Sequence, residues 1–168
     1  MSDALVCPMD LEAIEAIKRL KYRYFRTLDL KSWEEFGDCL ATDIRARYGT
    51  QVMKEPVHFD DRESVVAFMS ENLHRGVITT HVAHHPEIEV DGTDATGSWC
   101  FEDTVIVPEF QTQIRGAGYY TDRYRKDADG AWRISSTAYE RIYEAMTSLA
   151  DTPSFALLSN RWDSDQTS

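Results

Sequence analysis

Positive charge is scarce in this 168-residue chain: 18 lysines and arginines stand against 29 aspartates and glutamates, a formal net charge of -11. Nucleic-acid binding is driven by clustered cations on phosphate, so the deficit argues against it, and equally against an anionic membrane surface. Cysteine is sparser still. Cys7, Cys39 and Cys100 are odd in number and far apart, and they match neither a zinc spacing nor a disulfide framework. Reduced thiols in a cytoplasmic protein are the expectation. No apolar run approaches the length of a membrane span. Met1–Asp10 lacks a basic stretch followed by an apolar one, so no signal peptide is expected. Nucleotide and nucleophile motifs are missing too: there is no P-loop, no GxGxxG and no GxSxG, and nothing favours a Cys–His dyad on Cys39 or Cys100. Internal repeats and low-complexity segments are absent.

What is present has the size of one domain, 1–168, with a core over about 10–150. Residues 10–30 predict an amphipathic helix capped by Asp10. Leu11, Ile14, Ile17, Leu20, Tyr24 and Leu28 step by threes and fours along one face, and Lys18, Arg19, Lys21, Arg23 and Arg26 fill much of the rest. Ser32-Trp33-Glu34-Glu35 has the form of a capping box and predicts a second helix, with Trp33, Phe36 and Leu40 on its apolar side. A strand is expected over 44–53. A third helix follows from Asp60-Asp61-Arg62-Glu63, with Val65, Val66, Phe68, Met69 and Leu73 inward and Gly76 as its stop. The second half alternates as antiparallel strands over 78–90, 96–107, 116–125 and 131–143, with turns at Asp91-Gly92 and Asp129-Gly130 and a longer connection over 108–115. Phe155, Leu157, Leu158 and Trp162 suggest a packed tail. Helices first and sheet afterwards make an α+β domain with helices on one sheet face. A strongly curved sheet closed by those helices would enclose a cone-shaped cavity.

Several residues carry chemistry. In Thr80-His81-Val82-Ala83-His84-His85-Pro86, strand alternation turns His81, Ala83 and His85 to one side. No HExxH or cupin-like spacing supports a metal there. A histidine titrating near neutral pH is the best general-base candidate. In Trp99-Cys100-Phe101-Glu102-Asp103-Thr104-Val105, Asp103 shares a face with Trp99, Phe101 and Val105. A buried carboxylate needs a partner, so a histidine or an arginine is expected beside it. Tyr139, Arg141 and Tyr143 share a strand face, and Arg141 suits either a buried carboxylate or an anionic substrate group. Tyr48 lies on the apolar side of the first strand. Taken singly, Tyr24 reads as a core residue and Asp29 as a helix-end residue.

Together these segments resemble a known family. Glu15–Asp29, His81–Ile88, Ala95–Asp103, Gly118–Tyr124 and Tyr139–Tyr143 resemble the SnoaL-like dehydratases of the nuclear-transport-factor-2-like superfamily, nearest to the bile acid 7α-dehydratases and more distantly to scytalone dehydratases. The resemblance runs from about Asp10 to Glu144. It implies catalytic roles for Tyr24, Asp29, His81 and Asp103 and pocket positions for Tyr48 and Arg141. It also implies a lyase without metal or organic cofactor. The implied reaction is loss of water from a 7-hydroxy-3-oxo-Δ4 steroid of bile-acid type, with His81 as base and Asp103 or Asp29 fixing its tautomer; Asp103 is preferred because its strand phase puts it in the interior. A small-molecule steroid-like substrate and a homotrimer follow from the same resemblance. A ketosteroid-type isomerase, another lyase of the same fold and a non-catalytic ligand-binding module are the alternatives.

Overall fold

The computed structural model describes residues 10–49 and 53–162. Cys7 and the expected strand positions 50–52 lie outside the described residues. Helix α1 (Leu11–Asp29) begins where Asp10 accepts a hydrogen bond from the Ala13 N–H at 2.9 Å. Its buried stripe is Ile17, Leu20, Tyr24, Phe25 and Leu28. Leu11, by contrast, is exposed. One expectation fails here: Lys21, assigned above to the polar side, is fully buried.

Helix α2 (Trp33–Asp38) follows after a tight turn. Ser32 occupies its N-cap but makes no side-chain cap bond, so the capping box does not form. Both partners are engaged elsewhere: the Ser32 N–H donates to Thr27 O at 2.9 Å, and Glu35 accepts from Arg26 at 2.9 Å. Strand β1 (Leu40–Tyr48) starts four residues earlier than expected and ends at Tyr48. Strand β2 (Val57–Phe59) has three residues, too few for alternation to show in the sequence. Helix α3 (Arg62–Asn72) opens on Asp61, whose side chain accepts from the Ser64 N–H. It closes at Leu73 rather than Gly76. Val65 and Met69 are buried, while Val66, Phe68 and Leu73 are partly so.

Strands β3 (Ile78–Asp91), β4 (Asp94–Val107), β5 (Thr112–Lys126) and β6 (Trp132–Ser148) are long and antiparallel. Gly92 and Gly130 take positive φ in the turns joining β3 to β4 and β5 to β6. The connection after β4 is shorter than expected, a single 3-10 turn (Pro108–Phe110) followed by left-handed Gln111. All six strands form one curved, open sheet in the order β2-β1-β6-β5-β4-β3, with β1 parallel to β6. The N-terminal helices cover its concave face, as an α+β domain requires. No helix among the described residues is long and apolar enough to cross a membrane. In the tail, Phe155 and Trp162 are half-buried and Arg75 lies over the Trp162 ring, whereas Leu158 is exposed.

Two bulges correct the strand phases. Pairing shifts between His84 and Glu87, where His85 adopts φ 45°, and this turns His85 out to solvent instead of in beside His81. In β6, Gly118 faces Arg141 while Ala117 faces Tyr143, so Ile142 is the extra residue. Past it the phase inverts: Glu144 joins Arg141 on the inner side, and Tyr143, expected there, is exposed.

Lys21 explains how α1 is held. Its Nζ donates to Asp122 Oδ2 at 2.7 Å, and neither side chain has any solvent exposure. Tyr124 and Thr137 also donate to Asp122, at 2.7 Å each, and Trp99 Nε1 donates to the Tyr124 hydroxyl. The ammonium sits 3.7 Å from the Tyr120 ring centroid. Burial draws the Lys21 ammonium below its ordinary value and Asp122 opposes that shift. Removing one partner of such a pair leaves a buried charge uncompensated. Asp122→Ala is expected to cost about 3–5 kcal/mol in urea unfolding, more than Thr137→Val at the same cluster.

Candidate functional site

Between α1, α3 and the concave sheet face lies a cavity of about 190 Å³. Tyr24, Tyr48, His81, Asp103, Tyr139 and Arg141 contribute its polar wall, and Leu28, Met69, Phe101 and Val105 are among its apolar lining. Five of the six residues singled out from the sequence therefore meet at one cavity. The sixth, Asp29, stands directly behind His81.

The last turn of α1 brings Asp29 against β3. Its Oδ1 is 2.7 Å from His81 Nδ1 and accepts from Thr79 Oγ1 at 2.8 Å, while Oδ2 accepts from the His81 backbone N–H at 2.8 Å. A carboxylate taking these bonds makes His81 Nδ1 the protonated nitrogen and leaves the Nε2 lone pair free. Phe25 stacks on the imidazole at 5.4 Å and an interplanar angle of 3°, which fixes the plane of the ring. Phe25 was missed because it neighbours Tyr24 and falls beside the stripe that the helical spacing selects.

Asp103 is correctly phased: with Trp99 and Phe101 it is buried on the inner face. Its partner, however, is Arg141, through a bidentate pair at 2.9 and 2.6 Å. His81 Nε2 is 4.0 Å from Asp103 Oδ2, beyond hydrogen-bond reach. The expectation that Asp103 orients His81 is thus corrected, and Asp29 does so. The reason is geometric: Asp103 and His81 are register partners on adjacent strands, whereas Asp29 approaches from the helix onto the Nδ1 edge. Arg141 also reaches Glu144 at 2.9 Å through its Nε. Burial works against the Arg141 charge, but the hydrogen bonds and charge of Asp103 outweigh it and hold the guanidinium above its ordinary value.

Across the cavity the Tyr24 and Tyr48 hydroxyls are 3.0 Å apart. Burial pushes both phenols up, so they stay protonated donors across the neutral range. Only one proton can lie between the two oxygens, so the other is available to a ligand. Cys39 has no part in this chemistry: it is buried, and burial pushes its thiol up to about 11. Among the described residues no group of three or more His, Cys, Asp or Glu side chains is arranged to hold a metal ion.

The SnoaL-like domain family matches residues 9–138. The chain belongs to that family. Solved structures agree on the fold. A type 2 hexachlorocyclohexane dehydrochlorinase (LinA) superposes with a TM-score of 0.71 at 17% identity, over 82% of this chain and 90% of the other. A protein provisionally named a scytalone dehydratase, from Novosphingobium aromaticivorans, gives a TM-score of 0.71 at 18% identity, over 81% and 88%. Rv3472, a protein of unknown function from Mycobacterium tuberculosis, gives 0.64 at 23%, over 87% and 83%. The neighbours thus include proteins named for eliminations, and at these identities they establish the shared NTF2-like fold.

The Arg141–Asp103 pair depends on a small neighbour. A Cβ at Gly116, the β5 residue beside Asp103, would overlap the Arg141 guanidinium and press on the Tyr143 carbonyl. Gly116→Ala is therefore expected to lower stability by about 1–3 kcal/mol in urea unfolding, through overpacking.

Proposed function

We propose that this protein is a cofactor-free lyase that eliminates water from a cyclic hydroxy-carbonyl substrate. The observation carrying this reading is the His81–Asp29 pair, which leaves Nε2 as a base at a cavity that also holds phenol donors. Nε2 removes a carbon-bound proton made acidic by the substrate carbonyl, directly or through a conjugated double bond. The electrons pass into the carbonyl, whose developing oxyanion accepts a hydrogen bond from the Tyr24–Tyr48 pair. Asp29 stabilises the imidazolium that forms. That imidazolium then returns its proton to the leaving hydroxyl, the electrons re-form the carbonyl, and water departs. The substrate's own carbonyl is the electron sink, so no metal or organic cofactor is required. Asp103 neutralises much of the Arg141 charge, and the remaining guanidinium N–H groups can anchor a polar or anionic substituent.

The specific candidate substrate is the 7-hydroxy-3-oxo-Δ4 steroid acid suggested by the sequence resemblance. A cavity of about 190 Å³ is smaller than the roughly 300–1,000 Å³ typical of pockets that enclose drug-sized ligands. Such a substrate would insert its reacting end and leave the remainder towards solvent, on the side of exposed Asn72. Compact cyclic hydroxy-ketones fit with less opening.

Mass spectrometry after incubation with the steroid acid and with a panel of compact hydroxy-ketones, without added cofactor, tests the reaction class. A product lighter by one water supports the lyase. A product of unchanged mass with a relocated double bond would make the protein an isomerase, and saturable binding without conversion would make it a ligand-binding module. With a substrate in hand, His81→Ala is expected to lower kcat by about 10²–10⁴-fold. Asp29→Asn, whose amide can donate to Nδ1 and so select the other tautomer, is expected to lower it roughly 10⁴-fold. Circular dichroism of both variants should remain that of the parent protein.

A further inference from the structure

Lys31 is poorly suited to its position on local grounds. Helix α1 ends in a pair of backbone bonds, Lys31 N–H to Leu28 O at 3.2 Å and Ser32 N–H to Thr27 O at 2.9 Å, with Lys31 between them at φ 58°. Glycine usually fills that left-handed post, because an L side chain is strained there. Lysine is also among the residues least often buried, yet Lys31 is 9% exposed. The destination of its side chain offsets both costs. Nζ donates to Thr79 Oγ1 at 2.9 Å, and Thr79 Oγ1 donates to Asp29 Oδ1 at 2.8 Å, the oxygen that also receives His81 Nδ1.

This chain has a direction. An ammonium has donors and no acceptor, so the Thr79 oxygen must accept from Lys31, and its single proton is left to point at Asp29. Asp29 Oδ1 then receives from both Thr79 and Nδ1–H. We propose that Lys31 is a positioning residue for His81: acting through Thr79, its ammonium sets the direction of the hydrogen bonds at Asp29 and holds the imidazole tautomer whose Nε2 is free for the cavity. The catalytic meaning of that tautomer rests on the elimination reading, while the hydrogen-bond relay does not.

Loss of the Lys31 proton removes the constraint. A neutral amine can accept, so the Thr79 hydroxyl can turn towards Lys31 and Asp29 loses both a donor and a nearby positive charge. Burial draws the Lys31 ammonium down to about 8, with the Asp29 charge opposing the shift. The groups that face the relay are few. Asp29, from the end of α1, is the charge acting on Lys31. Asp103 from β4 and Arg141 from β6 stand on the Nε2 side of His81, paired with each other. Tyr24 and Tyr48 are pushed up by burial, away from this pH range.

The test needs no substrate. The ring nitrogens of His81 are followed by nitrogen-15 NMR in the ligand-free protein from about pH 6 to about pH 10, with the signals identified by their loss in His81→Gln. The expected result is an inflection near pH 8 in the His81 nitrogen shifts. It should disappear in Lys31→Arg, because a guanidinium stays charged throughout this range. It should also disappear in Thr79→Val, which cuts the relay but keeps Lys31. An inflection absent from the parent protein, or persisting unchanged in Thr79→Val, overturns the proposal. Should Lys31→Arg fail to fold, Thr79→Val decides alone. Both outcomes are independent of whether any substrate is turned over, so failure of the relay and failure of the elimination reading are separately visible.

Discussion

A buried ion pair anchors the helix on which the whole site depends. Lys21 and Asp122, both without solvent exposure, join α1 to the middle of the sheet. The charge is distributed over a satisfied network, with Tyr124, Thr137 and Trp99 completing it. Buried charge is tolerable only with such partners. Two residues of the same helix, Tyr24 and Asp29, lie one and two turns further on. Their approach to Tyr48 and His81 therefore follows from how Lys21 fastens α1 to the sheet. The network defines the floor of the fold but does not line the cavity.

The cavity divides its charges cleanly. Two carboxylates flank His81, and each has a different partner. Asp29 is satisfied by hydrogen bonds from Thr79 and from the backbone and ring of His81. Asp103 is taken up by Arg141. Without Arg141, Asp103 would compete for the Nε2 side of the imidazole, and that nitrogen would lose its freedom to act on a ligand. The β6 bulge at Ile142 adds Glu144 to the same cluster, and Gly116 leaves the room Arg141 needs. The site combines an imidazole with a free Nε2, phenol donors and a tethered cation around a mostly apolar space.

Much of the architecture was legible from local patterns. Asp10 caps the helix it was expected to cap, α3 opens within Asp60-Asp61-Arg62-Glu63 as expected, and the four long strands lie where alternation put them. The misses have physical causes. Ser32 failed as a capping box because its N–H was already bonded across the α1 terminus. His85 and Tyr143 left their predicted faces because one inserted residue inverts a strand's phase, and a bulge leaves no mark in hydrophobic alternation. Lys21 looked solvent-facing because its ion-pair partner, Asp122, lies 101 residues away.

The sequence by itself determined that Asp103 and Tyr24 turn inward. Asp103 shares a face with Trp99 and Phe101, Tyr24 lies on the apolar stripe of α1, and a burial need for polar partners followed at once. These are properties of period and composition along a single segment. Tertiary structure alone decided who partners whom. Asp29, not Asp103, holds His81; Arg141 holds Asp103; and Lys31 reaches Asp29 through Thr79. Each of these contacts joins elements distant in the chain. Their choice depends on helix placement, strand register and bulges, and differences of about an ångström separate a hydrogen bond from a mere neighbour.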